Sequence, residues 1–290
     1  MAKTKSSSGK EASQPLLPAA AAKPAFEPAR GLEDRAEAVA KSTKGQASVL
    51  ADIQALAPEL VASGSLDSPI FFSDTALTFS CAHGDHEAVE FLLGIGASAK
   101  APTRYGQSAL MQAVASLSPN NPSHAVEWAR AQACMELVLA AGGDIHHRNQ
   151  VGQQAINWAA WSLHKLDAAR WLLAHGANPS AADSDGSGGL HDAAQFGCLE
   201  TAKLFLDAGA DVEAQAKSTG DSIPMDPLAI AIKFLPMHRN YALVALLADA
   251  KIFAQGKRAA EHELRQLVSS VTDTDTVTGA SAALPARRRI

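Results

Sequence analysis

The residues of this chain that could do chemistry are few, and each has a plainer reading beside it. His191-Asp192 has the composition of a general base next to its orienting acid. Neighbouring side chains on a helix do not face one another, so a structural role for that pair takes precedence. Ser162-Leu163-His164-Lys165 fits the Ser-x-x-Lys spacing of some acyl-transfer enzymes. It falls between two helical patterns and reads as their connection. Gly186-Ser187-Gly188-Gly189 resembles a phosphate-cradling loop in composition, without the preceding strand or the following Lys-Thr or Lys-Ser pair. His146-His147 and the scattered His83, His86, His164 and His175 have no cysteine or carboxylate at ligand spacing. No catalytic, metal or cofactor residue is assigned, and the chain is expected not to be an enzyme.

The elements that would position any site are written more strongly. Gly96-Ala97-Ser98, Gly142-Gly143-Asp144, Gly176-Ala177-Asn178 and Gly209-Ala210-Asp211 each end a helical pattern, at intervals of 46, 34 and 33 residues. Before each glycine stands an apolar helix end: Phe91-Leu92-Leu93, Leu137-Val138-Leu139, Trp171-Leu172-Leu173 and Leu204-Phe205-Leu206. A glycine there can take the left-handed geometry that closes a helix. Leu77, Leu110, Ile156, Leu190 and Leu228 open the first helix of each unit, spaced 33, 46, 34 and 38 residues apart. A period near 33 predicts stacked helical hairpins.

These residues resemble the ankyrin-repeat family, whose unit is a β-turn finger followed by two helices. The best match runs from Asp183 to Asp211 and includes Asp183-Ser184-Asp185-Gly186, Leu190-His191-Asp192-Ala193-Ala194 and Leu204-Phe205-Leu206-Asp207-Ala208-Gly209. Thr75-Ala76-Leu77-Thr78, Ser108-Ala109-Leu110-Met111, Gln154-Ala155-Ile156-Asn157 and Asp226-Pro227-Leu228-Ala229 occupy the family's Thr-Pro-Leu-His slot more loosely. Only the last of these keeps the proline, and only His191 keeps the histidine. The resemblance implies an all-α ankyrin-repeat solenoid with short β-turn fingers and capping helices at both ends.

The expected organisation follows from these markers. Residues 1–45 carry Lys, Ser, Ala and four prolines with little to bury and are expected to be a disordered tail. Residues 46–73 form a degenerate N-terminal cap, in which Pro58 is expected to break the helical pattern in two. Residues 74–250 hold about five repeats, with an insertion near 118–130 whose helix would start at Ser123 as N-cap. The connection from Val212 to Ile223 is lengthened and holds a surface loop. Residues 251–269 form a one-sided C-terminal capping helix and 270–290 a second disordered tail.

Composition narrows the function classes. Charged residues make up 19% and the formal net charge is −5, which gives no strong pull on phosphate backbones. Nucleic acid is not the expected partner. No apolar stretch approaches a membrane span, so no membrane partner is expected. Cys81, Cys134 and Cys198 have no zinc spacing, and an odd number without a secretory signal favours a reducing compartment. The expected location is cytoplasmic, although secretion without a cleavable signal would look the same.

Binding is what such an array does well, because its fingers and first helices make a preorganised surface. Carrying the family's variable contact positions onto this chain implies protein-binding roles for Arg104, Tyr105, Gln107, Gln150, Gln153, Trp161, Asp185, Gln195 and Phe196. Arginine and aromatic residues are the types that anchor interfaces. Trp161 and Phe196 read equally as interface or core, and Trp158, three residues from Trp161, reads as core. The expected function is non-catalytic capture of a protein partner by a monomer. A secreted effector or scaffold is the alternative. An enzyme using His124, Glu127 and Arg130 of the insertion is the weaker third reading.

Overall fold

The computed structural model describes residues 31–43, 48–117, 124–217 and 224–278. They fall into two compact units that divide after Gln150. Each unit is built from helix pairs joined by short turns, as the repeat period predicts.

The first unit opens with α1 (Leu32–Ser42) and α2 (Leu50–Ala62). Helix α1 lies inside the stretch expected to be disordered; its Ala36 and Ala40 are buried and its Arg35 pairs with Glu59 of α2. The remainder of that expected tail, residues 1–30 and 44–45, lies outside the described residues. Helix α2 runs unbroken through Pro58, contrary to the expected division. Ile53, Leu56, Ala57 and Leu60 are buried while Gln54, whose carbonyl the proline deprives of a donor, is exposed. Burial of one face thus outweighs a lost hydrogen bond that water replaces.

Two repeats complete this unit: α3 (Ala76–Ala82) with α4 (His86–Gly94), and α5 (Ala109–Ala115) with α6 (His124–Ala140). Helix α3 starts where Thr75 and Thr78 exchange backbone donors, Thr78 N–H to Thr75 Oγ1 at 3.1 Å and Thr75 N–H to Thr78 Oγ1 at 2.8 Å. Helix α6 is long, as the insertion implied; its expected N-cap, Ser123, lies outside the described residues. Phe71, Leu77, Leu92, Leu110, Met111 and Met135 fill the core.

The second unit begins with α7 (Ala155–Ala159), a 3₁₀ turn at Leu163–Lys165 and α8 (Leu166–Ala174). The 3₁₀ turn stands where this repeat lacks the inter-helix glycine. Next come α9 (Gly189–Gln195) and α10 (Leu199–Asp207), then β1 (Ala216–Lys217) paired antiparallel with β2 (Pro224–Met225). The surface loop expected between these two short strands lies outside the described residues. Helices α11 (Pro227–His238) and α12 (Tyr241–Thr278) follow.

Helix α12 merges what the sequence reading divides into a fifth-repeat helix, a separate capping helix and the start of a tail. Asp249-Ala250-Lys251 offers no left-handed stop. Lys251 instead pairs with Asp226 and Arg258 with Glu213, which tie two places about two turns apart on one helix to the repeats. The four marker glycines behave alike, with φ of 99°, 86°, 90° and 86° at Gly96, Gly142, Gly176 and Gly209. The residue after each bonds five residues back, for example Ala97 N–H to Leu92 O at 2.9 Å and Ala210 N–H to Phe205 O at 2.9 Å.

Candidate functional site

In α7 and α9 the slot residue three positions into the helix is a fastening. In His191 the Nδ1 accepts the Gly188 N–H at 3.1 Å, which leaves Nε2 as the donor to the Ala214 carbonyl at 2.9 Å. Burial holds this imidazole below the usual histidine range. Asn157 does the same work with an amide: Oδ1 accepts Gln154 N–H at 2.9 Å and Nδ2 donates to Ala181 O at 2.8 Å. One side chain thus starts a helix and fixes the following finger, so both ring nitrogens of His191 are committed to structure.

The other chemical candidates resolve similarly. Ser162 Oγ accepts the His164 N–H at 3.3 Å within the 3₁₀ turn. Gly186 has φ +83°, and a Cβ there would lie 2.5 Å from Gln215 O. A Cβ on Gly189 would lie 2.3 Å from Phe205 Cε1. The glycines are required by the finger turn and by close packing. His147 Nε2 bonds the Gly106 carbonyl at 2.8 Å. All three cysteines are free and buried. A hydrogen bond with Cys134, then burial, pushes the Cys81 thiol well above its ordinary range, away from the reactive thiolate. Among the described residues, no three His, Cys, Asp or Glu side chains gather where they could hold a metal. No described helix is long and apolar enough to cross a membrane.

In the first unit, the residues expected to bind divide by task. Arg104 and Tyr105 have exposed side chains, Tyr105 at 57%. Gln107 and Gln150 brace them. Gln107 Oε1 accepts from Gln112 Nε2 at 2.8 Å, and Gln150 Nε2 donates to the Arg104 carbonyl at 2.8 Å. The finger is further held by Arg104 N–H on Ser73 O at 2.7 Å. Beside it, burial raises the Asp74 pKa to about 6, against the opposing effects of the Thr78 hydroxyl and His83.

The second unit holds the other expected residues, Gln153, Trp161, Asp185, Gln195 and Phe196. Trp158 and Trp161 stack with ring centroids 5.6 Å apart, both half-buried, and Trp158 Nε1 donates to Gln153 Oε1 at 3.0 Å. Gln195 and Phe196 follow at the end of α9, with Phe196 45% exposed. Asp185 stands exposed in the finger before α9.

Asp192, absent from the expected binding residues, joins these parts. It lies one turn before Phe196, whose N–H bonds its carbonyl at 2.9 Å, and its carboxyl accepts the Trp161 indole N–H. Burial, with a further push from Asp183, raises its pKa to about 7 despite that hydrogen bond. Lys165 Nζ lies 5.9 Å from the Trp161 centroid, and burial lowers its pKa. The signal available in sequence was spacing: Asp192 and Phe196 are four apart at the end of α9, and Trp158, the stacking partner of Trp161, holds the place of Asp192 in the preceding repeat.

Residues 123–216 match the family model of ankyrin repeats, three copies. The chain is also 34% identical over 82 residues to the ankyrin repeat domain-containing protein SAT10 of Stachybotrys chartarum. That alignment covers 28% of this chain and 4% of the relative, so the chain spans a small part of that protein's length.

Proposed function

We propose that this ankyrin-repeat protein is a non-catalytic recognition module that captures a protein partner, using the aromatic face of the second unit. The observation that carries the reading is Phe196. A large aromatic side chain stays 45% exposed at the end of α9, one turn beyond the Asp192 whose carboxyl accepts the Trp161 indole N–H, where a helix end would ordinarily be polar. Trp161, Gln195 and Asp185 of the same unit are proposed to share in the contact. Arg104 and Tyr105, side chains that their finger does not need for packing, are a further contact set within the first unit.

Preorganisation is the mechanism. The indole of Trp161 is fixed by its stack on Trp158 and its bond to Asp192, and the finger backbone by Ser184 N–H on Val151 O at 2.9 Å. Little ordering entropy remains to oppose docking. Three free buried thiols suit a reducing, cytoplasmic setting, where such a module acts as a scaffold.

Phe196→Ala tests the reading. Because nearly half of the residue stays solvated, its loss costs at most about 1 kcal/mol of stability. The full-length variant is expected to melt with the parent protein and to lose a partner that immobilised parent protein retains. A variant that melts well below the parent assigns Phe196 to the core and removes the argument.

A further inference from the structure

The reading above leaves the partner's chemistry open, and the surroundings of Asp192 narrow it. Three features converge in the second unit: stacked indoles, an exposed phenyl ring and a carboxyl whose hydrogen-bond donor is one of those indoles. Resting on the proposed binding role of this face, we infer that it receives a lysine or arginine side chain of the partner, alkyl stem against Phe196 and Trp161, cation on the Asp192 carboxyl.

Charge complementarity selects this occupant. The charged group that acts on Asp192 is another carboxylate, Asp183, and Asp185 adds a third in the same finger. An acidic side chain docking here would meet like charge from each. An apolar one would bury the carboxyl further without a counter-charge, which is costly. A cation relieves both penalties and gains the ring faces as well. That an ammonium is compatible with the Trp161 ring is visible in Lys165, 5.9 Å from its centroid.

The carboxyl is also poised to respond to such a ligand. Burial and Asp183 hold it partly protonated near neutral pH, so an arriving cation displaces the proton. The other titratable groups at this face are Lys165 beside Trp161 and His238 of α11, whose Nε2 bonds the Gln195 carbonyl at 2.8 Å. His191, on the same helix as Asp192, has both nitrogens committed elsewhere. A basic ligand therefore binds more tightly as pH rises from about 6 to about 8, whereas a ligand that needs protonated Asp192 weakens over the same interval.

The experiment selects random linear peptides displayed on phage against the full-length protein, then measures synthetic copies by fluorescence anisotropy. The expected result is enrichment of lysine or arginine beside an apolar residue. Affinity should fall by roughly tenfold in Asp192→Asn and in Phe196→Ala, with Asp192→Glu losing less, and should rise with pH. Asp192→Asn keeps an acceptor for the indole, and its melting curve checks that it folds. Peptides that need Phe196 but carry no basic residue, or that ignore Asp192→Asn, overturn the inference and leave the binding face standing. The absence of any retained basic peptide overturns it too. Retained peptides indifferent to both Phe196→Ala and Trp161→Ala overturn the binding role of the face itself.

Discussion

Each unit fastens a second helix through an aspartate that caps a repeat helix, yet the two aspartates do it with different partners. Asp85 caps α4 by accepting Ala88 N–H at 3.2 Å, and its other oxygen takes Val49 N–H at 2.6 Å, Leu50 N–H at 3.1 Å and the Ser48 hydroxyl at 2.9 Å at the start of α2. Asp226 caps α11 by accepting Ala229 N–H at 2.8 Å and holds α12 through Lys251. Burial opposes the charge of both. The donors win in both, so both carboxyls sit below their ordinary range. The difference teaches that a cap built from neutral backbone donors is insensitive to salt, whereas one built from a lysine is screened.

Removing the two aspartates breaks this comparison most sharply. Asp85→Ala leaves the buried Val49 N–H and the first turn of α2 without their acceptor, an expected loss of about 2–4 kcal/mol. Urea unfolding and faster amide exchange in α2 would register it. Asp226→Ala loses a cap and a partly solvated ion pair, an expected about 1–2 kcal/mol, with Asp226→Asn recovering the cap share. Added salt should weaken the parent's α12 attachment more than that of the Asp226→Ala variant, which keeps only the Arg258–Glu213 pair. If salt destabilises α2 as much as α12, the distinction between neutral and charged fastening fails.

A pH-dependent effect separates these aspartates from their neighbours. Each unit also holds a carboxyl with a raised pKa, Asp74 at about 6 in the first and Asp192 at about 7 in the second. For Asp85 and Asp226, folded-state values lie below the unfolded ones. Their stabilisation is present above about pH 4 and is lost as pH falls further. For Asp74 and Asp192 the order is reversed. Their contribution is intact below about pH 4 and is lost as pH rises toward 6 and 7. Asp192→Asn is therefore expected to raise stability at about pH 8 by roughly 1–3 kcal/mol and to leave it unchanged near about pH 4. Thermal melts at the two pH values measure this, and equal shifts at both would deny that ionisation is the cause.

Much of the fold was legible in the residues because the signals were local. Leu92 and Gly96, or Phe205 and Gly209, are close enough in sequence that a helix and its left-handed stop are written together, and the structure places both glycines at φ near 90°. The limits of the ends were less legible. Helix α1 owes its place to Glu59, which is 24 residues from Arg35, and α12 owes its continuity to Asp226 and Glu213. Such partners have no period to reveal them. Pro58 misled for the same reason, since a local breaker was weighed without the buried face that overrode it.

The candidate site divides along the same line. The family resemblance offered Tyr105, Trp161 and Phe196 as expected contact positions, but their exposure depends on what packs against each ring. Asp192 illustrates the other half. As a sequence neighbour of His191 it suggested a catalytic pair, whereas folding sends the histidine to Gly188 and Ala214 and the carboxyl to Trp161. Residue order by itself determined the repeats, because helix periodicity and glycine stops act within a few residues of chain. Only the tertiary structure decided which polar groups pair, which carboxyls lose water and which rings keep it, because burial and partner choice arise between segments that the chain brings together from far apart.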